Sequence, residues 1–315
     1  MTQKLDLEEV NFQSSKKLKY RIYNSPTSEQ LEGWWLRIRI LRKNIGFQLV
    51  GQTQMLNSLL MGLITGGHVL LEGPPGVGKT TALKTLCDLL RCKFAIVHKT
   101  HDFIGANLVV INELDRCDDS FRRSLLNVMQ EKEVIIGNEH FYLDLPFVVF
   151  CTINPREDGR IPLLNTELDR FMLHYRVNHP SSCEELEILS KNLGQKEVFS
   201  KSIEHVLDAK DLLEIQRLVL SLQFDDSLKQ RMVETMTWVR QKQQNEVWSG
   251  FSTRSTLNWA RAACANAFLK ERTNVELEDL GEVMPVVFSH LLPQEYQTSE
   301  ASNQYIASMQ EIAYS

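Results

Sequence analysis

Short apolar runs alternate with amphipathic stretches along the first half of the chain. The run His68–Glu72 is apolar and bounded by glycines, as expected of a buried strand. Four further runs have the same character: Phe94–His98, Leu108–Ile111, Phe147–Thr152 and Phe171–Val177. The stretches between them include leucines at helical spacing. This alternation predicts an α/β fold in which a parallel sheet is covered by helices on both faces.

The pattern changes beyond Pro180, where the strand signal stops and long helical periods take over. Helices are predicted there over four ranges: Leu212–Leu222, Leu228–Arg240, Thr253–Lys270 and Leu277–Phe288. Two more helices are predicted ahead of the first strand, in Leu31–Ile45 and around Leu56–Leu63. We therefore predict a loosely held extension over residues 1–30, an α/β domain over 31–180 and a smaller all-helical domain over 181–315.

The composition is that of an ordinary folded protein. With 315 residues, of which 43% are hydrophobic and 24% charged, the chain can bury two cores. A net charge of -5 argues against a broad electrostatic grip on nucleic acid. No apolar stretch approaches the roughly 18 residues needed to insert across a membrane, and no secretory signal is recognised. The six cysteines lack paired or metal-binding spacing, which predicts buried thiols in a reducing cytoplasm.

A phosphate-binding motif follows the first predicted strand. Eight residues fit the pattern G-x-x-x-x-G-K-[ST]: Gly73, Pro74, Pro75, Gly76, Val77, Gly78, Lys79 and Thr80. A strand, a glycine-rich loop and a helix present successive backbone N–H groups and a helix N-terminus to an anion. Lys79 is expected to reach the β- and γ-phosphates, and the Thr80 hydroxyl to ligate Mg²⁺. The motif therefore predicts a nucleotide-binding chain that takes ATP with Mg²⁺.

Features beyond this motif resemble the MoxR family of AAA+ ATPases. The opening Gly67–Gly73 has the family's sequence letter for letter, and the strand Leu108–Ile111 ends in Asn112 and Glu113. The later matches are Asn154 after a predicted strand, Arg170 after Glu167-Leu168-Asp169, and Arg254 in the stretch Gly250–Arg254. The resemblance covers about residues 36–292 and implies a P-loop core followed by a helical lid domain.

The resemblance implies a role for each of these side chains. Glu113 would polarise a water for in-line attack as a general base, and Asn154 would orient that water. Arg254 would reach the γ-phosphate from the helical domain, so that domain closure follows the nucleotide state. Arg170 would act on the nucleotide of a neighbouring subunit. Further binding contacts are expected from Thr81, Val50 and Gly51, and metal contacts from Thr80 and Asn112.

Taken singly, three of these residues also suit ordinary structural roles. Arg170 fits a surface ion pair, Asn154 a turn before proline, and Arg254 the first turn of a capped helix. The family as a whole implies a ring of identical subunits, expected to be a hexamer. It also implies a chaperone-like action on a protein client, including clients with a von Willebrand A domain.

The stretch Val134–Leu143 alternates in character around Gly137-Asn138 and predicts a β-hairpin. It matches a family hairpin that projects from the ring, where a client could touch it. A simple edge ribbon is the structural alternative.

Two departures from the family bear on activity. Asn112 stands where relatives carry an aspartate, so one negative charge beside Mg²⁺ is lost, and weaker metal binding and slower turnover are expected. The segment Lys99–Asn107 is also short, because a parallel crossover normally needs about a dozen residues or more. We therefore expect that the flanking strands do not pair side by side: Phe94–His98 runs differently, leaves the sheet, or the sequence lacks a segment at His101-Asp102.

Two functions from different classes follow. The first is a MoxR-type ATPase that hydrolyses ATP to remodel, assemble or mature a protein partner. The second is a nucleotide-gated binding or regulatory protein with weak or no hydrolysis, favoured by Asn112 and by the short segment Lys99–Asn107. A nucleic-acid motor is a third candidate, which the acidic net charge disfavours.

Overall fold

The computed structural model describes residues 25–154, 163–193, 205–242, 251–292 and 299–314. The strands within these ranges are β1 (Val69–Glu72), β2 (Leu90–Arg91), β3 (Phe94–Ile96), β4 (Leu108–Ile111), β5 (Glu133–Ile136), β6 (Glu139–Tyr142), β7 (Val148–Ile153), β8 (Leu173–Arg176) and β9 (Leu207–Asp208). Five of them form a sheet in the order β3-β4-β7-β1-β8, and every neighbouring pair runs parallel. The predicted parallel sheet is therefore confirmed.

The α-helices in the described ranges surround this sheet and form most of the second half. They are α1 (Ser28–Gln48), α2 (Thr53–Thr65), α3 (Lys79–Asp88), α4 (Asp119–Glu131), α5 (Asn165–Leu168), α6 (Ser182–Asn192), α7 (Ala209–Leu220), α8 (Asp226–Lys242), α9 (Thr253–Leu269), α10 (Leu277–Phe288) and α11 (Ser299–Tyr314). Side chains cap several of them; the Asp118 carboxylate, for example, accepts a hydrogen bond from the backbone N–H of Phe121 at 2.8 Å.

The sheet has a hydrophobic core on each face, because successive strand residues point to opposite sides. Val69 and Leu71 of β1 pack with α1, α2 and the second half of the chain, whereas Leu70 packs with α4. Both faces are covered, so the carboxyl ends of the strands form the accessible edge on which loops can present functional side chains.

The structure overturns the prediction about the short crossover: β3 and β4 pair side by side and in parallel, with Phe94 opposite Leu108. The connection suffices because the strands share only three residue pairs and because the chain returns through one 3-10 helix, Thr100–Phe103. Phe103 is fully buried and stacks on Phe121 of α4, with ring centroids 6.0 Å apart. A single turn thus provides cover that a crossover helix would otherwise give.

The second half is helical as predicted, with one addition. β9 pairs in parallel with β2, Leu90 lying opposite Leu207, and this short ribbon ties the second half to the first. Buried side chains of both halves also form one continuous cluster, which includes Leu59 of α2 and Trp259 of α9. The boundary at residue 180 stays a prediction.

Two further expectations concern the ends of the chain and its surface. The predicted extension over residues 1–30 falls mostly outside the described residues, of which the first helix begins at Ser28. None of the helices in the described ranges combines the length and apolar character required to cross a bilayer.

Candidate nucleotide site

The loop between β1 and α3 has the backbone that a phosphate cradle requires. Gly76 and Gly78 have φ values of 83° and 90°, in the left-handed region that favours glycine. Helix α3 begins at Lys79, so the loop N–H groups and the helix N-terminus face one cleft. The cleft holds about 310 Å³ and is lined by Pro75, Gly76, Val77, Gly78, Lys79, Thr80, Thr81, Asn112, Glu113, Thr152 and Asn154. Apart from Thr152, each of these was a predicted site residue.

Lys79 links this loop to the end of β7. Its ammonium donates hydrogen bonds to the carbonyl oxygens of Gly73 and Pro74, the latter at 2.8 Å, and to Oδ1 of Asn154 at 3.0 Å. β1 and β7 are neighbours in the sheet, and this is why residues 75 positions apart in sequence meet here. The structure therefore brings Asn154 to the P-loop, as predicted from its place after a strand.

Glu113 is held on both sides at the end of β4. Its backbone N–H donates to Oγ1 of Thr152 at 3.0 Å, and its φ of 55° places a non-glycine residue in the left-handed region. One carboxylate oxygen accepts from Nδ2 of Asn154 at 3.0 Å, and the other lies 3.0 Å from a guanidinium nitrogen of Arg116. The carboxylate is thus oriented before any substrate arrives.

Arg116 and Thr152 were missed by the sequence analysis. Thr152 is on β7, two residues before Asn154, so the side chains of both residues lie on the same side of the chain. Arg116 lies three residues after Glu113, in the 3-10 helix Leu114–Arg116, and that spacing is the available sequence signal for the contact.

The donor set fits a magnesium ion bound together with a nucleotide. Oγ1 of Thr80 donates to Oδ1 of Asn112 at 3.3 Å, so two neutral oxygens converge at the mouth of the P-loop. Mg²⁺ prefers oxygen ligands and is commonly shared with substrate phosphates. The amide at Asn112 provides the oxygen without the charge, so this chain's metal position is less negative than an aspartate would make it.

The segment before α2 lies beside the P-loop. A Cβ built at Gly78 would lie 3.8 Å from Cδ2 of Leu49. Gly51 has a φ of 76°, and a Cβ there would lie 2.3 Å from Cδ of Glu184, at the start of α6. Val50 and Gly51 are therefore close to the cleft, although their contact with a nucleotide stays a prediction. Glu184 was missed, because nothing in the sequence relates α6 to Gly51.

The end of β1, which leads into the P-loop, is linked through hydrogen bonds to the second half of the chain. Glu72, the last residue of β1, lies 2.8 Å from Nε2 of His174 and accepts a hydrogen bond from Nε of Arg176 at 3.3 Å. Nδ1 of His174 lies 3.0 Å from Oγ of Ser289, in a 3-10 helix that follows α10. Burial raises the pKa of Glu72, but His174 and Arg176 outweigh it and lower the pKa to about 2. No sequence pattern indicated this connection.

Arg170 and Arg254 lie together around Asp169. A guanidinium nitrogen of Arg254 donates to Oδ2 of Asp169 at 2.7 Å, and Ser252 donates to the other carboxylate oxygen at 2.9 Å. Nε and one terminal nitrogen of Arg170 are buried with no hydrogen-bond partner within the described ranges. Burial lowers the pKa of Arg170, and the charge of Arg254 lowers it further. Two cations thus lie near one carboxylate, with which Arg254 forms the ion pair.

This arginine pair lies at the opposite edge of the sheet from the P-loop. In the parallel pairing of β1 with β8, Val69 lies opposite Leu173 and Glu72 opposite Arg176. The P-loop follows Glu72 at the carboxyl end, whereas Arg170 precedes Leu173 at the amino end, about 10 Å or more along the strands. The expectation that Arg254 reaches the phosphates of its own P-loop is therefore not met in this structure.

The predicted hairpin is present as β5 and β6, which pair antiparallel around Gly137, whose φ is 63°. Ile135 and Tyr142 project from it, 53% and 80% exposed. Its contact with a client stays a prediction.

Comparisons with known proteins agree with this geometry. The family described as ATPase family associated with various cellular activities (AAA) matches residues 104–173, and an AAA lid domain matches residues 241–310. Chaperone MoxR1 of Mycobacterium tuberculosis is 32% identical over 276 residues, which are 78% of this chain and 72% of the relative. YeaC of Bacillus subtilis, an uncharacterized protein, is 30% identical over 273 residues, 79% and 84% of the two chains. A candidate ATPase from Cytophaga hutchinsonii superposes with a TM-score of 0.78 at 28% identity and covers 89% of this chain and 95% of its own.

Proposed function

The chain belongs to the MoxR family of AAA+ ATPases, and on that premise we propose that it binds ATP with Mg²⁺ and hydrolyses it to remodel or mature a protein partner. The observation that carries this proposal is the hydrogen-bonded line from Lys79 through Asn154 to Glu113 along one side of the cleft. Such a line sets a phosphate-binding cation and a potential base on either side of one amide, where a γ-phosphate and an attacking water would meet.

Each residue of the cleft has a task in this proposal. The P-loop N–H groups and Lys79 bind the phosphates, while Thr80 and Asn112 hold the metal ion, which supplies positive charge to the phosphate oxygens. Glu113 accepts a proton from water as general base, and Asn154 fixes the position of that water. Because the Glu113 backbone is pinned by Thr152, its carboxylate is directed without a rearrangement of β4.

The arginine pair favours a site that is completed by a second copy. Arg170 and Arg254 lie at the amino edge of the sheet, away from the P-loop of their own chain, and both are cations that transition-state charge would attract. We propose that both act on the nucleotide of a neighbouring subunit in a ring, with a hexamer as the expected size. The client is proposed to be a protein, with a von Willebrand A domain as the kind that the family resemblance implies.

We propose that the protein works in the reducing cytoplasm. All six cysteines are free thiols in the structure, but the expectation that they are buried holds for three of them, Cys87, Cys151 and Cys264, whereas Cys183 is exposed. Burial raises the pKa of Cys87 and Cys264 to about 12, and such thiols are inert core residues, which suits a compartment where disulfides are rare.

A second function is favoured by one observation, the amide at Asn112. If metal binding is too weak to support turnover, nucleotide binding alone would switch the chain between shapes, and the protein would be a nucleotide-gated regulator. The cleft, the P-loop and the arginine pair serve that function equally well, so the metal dependence of turnover separates the two.

The test of the proposed function is phosphate release by the purified chain. With Mg·ATP, wild-type turnover per subunit is expected to rise with protein concentration, because a neighbour supplies Arg170. Glu113→Gln is expected to lower turnover by about 10²-fold or more while ATP binding persists, since a general base contributes roughly that factor. Glu300→Gln makes the same change at an exposed carboxylate on α11; it is the matched control and should behave as wild type. Equal turnover in wild type and Glu113→Gln contradicts hydrolysis at this site, and a chain with no affinity for ATP or ADP contradicts the assignment altogether.

A further inference from the structure

Helix α6 carries an apolar face that nothing in the described ranges covers. Leu186 and Leu189, three residues apart on one side of the helix, are 66% and 50% exposed. No described residue of α6 is buried, and Glu184 in its first turn packs against Gly51. Glu185 and Glu187 flank the leucines and are exposed as well; Glu187 also pairs with Lys191, one turn further along α6, at 2.7 Å. An exposed apolar face bordered by charge is typical of a protein contact.

Helix α9 carries a positively charged face, opposite in charge to the glutamates of α6. Arg254, Leu257 and Arg261 recur at intervals of three and four residues and therefore lie on one side of the helix. Leu257 is 57% exposed, and both arginines reach solvent. Burial followed by the charge of Arg261 lowers the pKa of Lys132 to about 8, which shows that positive charge is crowded on this side of the molecule.

The two faces belong to different edges of the sheet. α6 begins beside the nucleotide cleft, where Glu184 packs against Gly51. The first turn of α9 begins at the amino edge, where Arg254 binds Asp169. A contact between two different faces is heterologous: each copy uses one face on each neighbour and keeps the other free, so the copies add head to tail.

We propose that the α9 face of one copy, Arg254, Leu257 and Arg261, docks on the α6 face of the next, Leu186 and Leu189 with Glu185 and Glu187. This inference rests on the proposed function and specifies the surface through which the neighbour completes the site. Leu257 packs between the two leucines, and Arg261 faces the glutamates at the rim. Because α6 starts beside Gly51, the docked copy brings Arg254 and Arg170 to the side of the cleft that holds the nucleotide.

The test uses one variant for each face and one matched control. Leu257→Gln removes the apolar centre of the α9 face, and the double variant Leu186→Gln/Leu189→Gln removes that of the α6 face. Leu220→Gln is the control, since Leu220 on α7 is 46% exposed and belongs to neither face. Sedimentation velocity with Mg²⁺ and a non-hydrolysable ATP analogue is expected to show half-assembly at protein concentrations at least tenfold higher for both face variants and unchanged for the control. ATP affinity at dilution is expected to be that of wild type, which verifies that the variants fold.

Mixing the two face variants provides a test that unfolding cannot imitate. Each variant keeps one intact face, so one contact can form between unlike copies and none can extend it. The mixture is expected to give dimers and no rings, with phosphate release above that of either variant alone. Assembly of the face variants at wild-type concentrations, or a mixture that stays monomeric while the wild type assembles, overturns this interface and leaves the proposed function intact. A wild type that binds no ATP overturns the proposed function itself, and this inference with it.

Discussion

The amide of Asn112 occupies the place from which a carboxylate would neutralise a bound cation. Its Oδ1 already accepts a hydrogen bond from Thr80 at 3.3 Å, so the oxygen is correctly placed for a metal ligand. What is absent is the charge. At about 5 Å and an effective dielectric constant of about 20, the attraction between a carboxylate and a divalent cation has a ceiling of several kcal/mol.

Asn112→Asp is therefore expected to lower the Mg²⁺ concentration at the midpoint of ATP binding at least tenfold, because about 1.4 kcal/mol of that ceiling suffices. Titration of Mg²⁺ against a fluorescent ATP analogue measures the midpoint, and phosphate release measures turnover. Asn138→Asp adds the same charge on the exposed hairpin turn and serves as control. A large rise in turnover indicates that the wild type is an ATPase slowed by its amide. A lower Mg²⁺ midpoint without such a rise favours the nucleotide-gated regulator. An unchanged midpoint contradicts the role given to Asn112.

The cleft itself could be predicted from the sequence because its residues follow strands. Glu113 and Asn154 come just after apolar runs, and Lys79 ends the glycine-rich loop that leaves β1; parallel strands bring such positions to one edge. Arg116 and Glu184 could not be predicted, because their contacts depend on where flexible charged side chains turn and on how α6 packs. Such contacts leave no periodic signature in the chain.

At the scale of elements, the apolar runs located the strands, but the pairing of β3 with β4 was predicted wrongly. Loop length constrains which strands can be neighbours, yet it does not fix them, since a strand of three residues needs little chain for its return. The 3-10 helix Thr100–Phe103 resolves the conflict by burying Phe103 under the sheet. Phe103 therefore packs the short crossover against the core on this face of the sheet.

Phe103→Ala is expected to lower the free energy of unfolding by about 3–5 kcal/mol, the usual cost of removing a buried phenylalanine ring, here one that stacks on Phe121. Ile104→Ala changes the next residue, which is 42% exposed, and should cost less than about 1 kcal/mol. Urea denaturation of both variants measures the difference. Equal stability of the two would show that the short crossover does not depend on Phe103.

At the scale of the whole molecule, the position of Arg254 shows what a motif leaves open. The motif marks an arginine at the start of a lid helix, but which nucleotide it serves depends on how the lid packs on the core. Here α2 packs against α7 and α9, and the resulting core carries Arg254 to Asp169 at the amino edge. Only the assembled fold gives that placement, and it turns a predicted contact within one chain into a proposed contact between two.

Two buried histidines make the stability of the whole chain depend on pH. His68 lies at the amino end of the sheet and His290 between the sheet and the helical half, 5.4 Å from the His174 ring. Burial lowers the pKa of both to about 3; Lys132 contributes further at His68, and His174 at His290. The ordinary value near 6.5 applies to the unfolded chain, which therefore binds more protons than the folded chain between about pH 6.5 and pH 3.

The free energy of unfolding is accordingly expected to fall as pH falls through that window, by about 2 kcal/mol for each histidine between pH 7 and pH 5. Between pH 7 and pH 5 the other shifted groups contribute little. Lys132, with a pKa of about 8, stays mostly charged in both states, and carboxyl groups with lowered pKa values, such as Glu72 at about 2, lose their contribution mainly below pH 5. His290→Phe keeps a buried ring but removes one titrating group, so urea denaturation at pH 7, 6 and 5 should show about half the wild-type fall. The exposed His98→Phe is the control and should retain all of it. If the free energy of unfolding of His290→Phe falls between pH 7 and pH 5 as much as that of the wild type, this histidine can be protonated inside the folded protein.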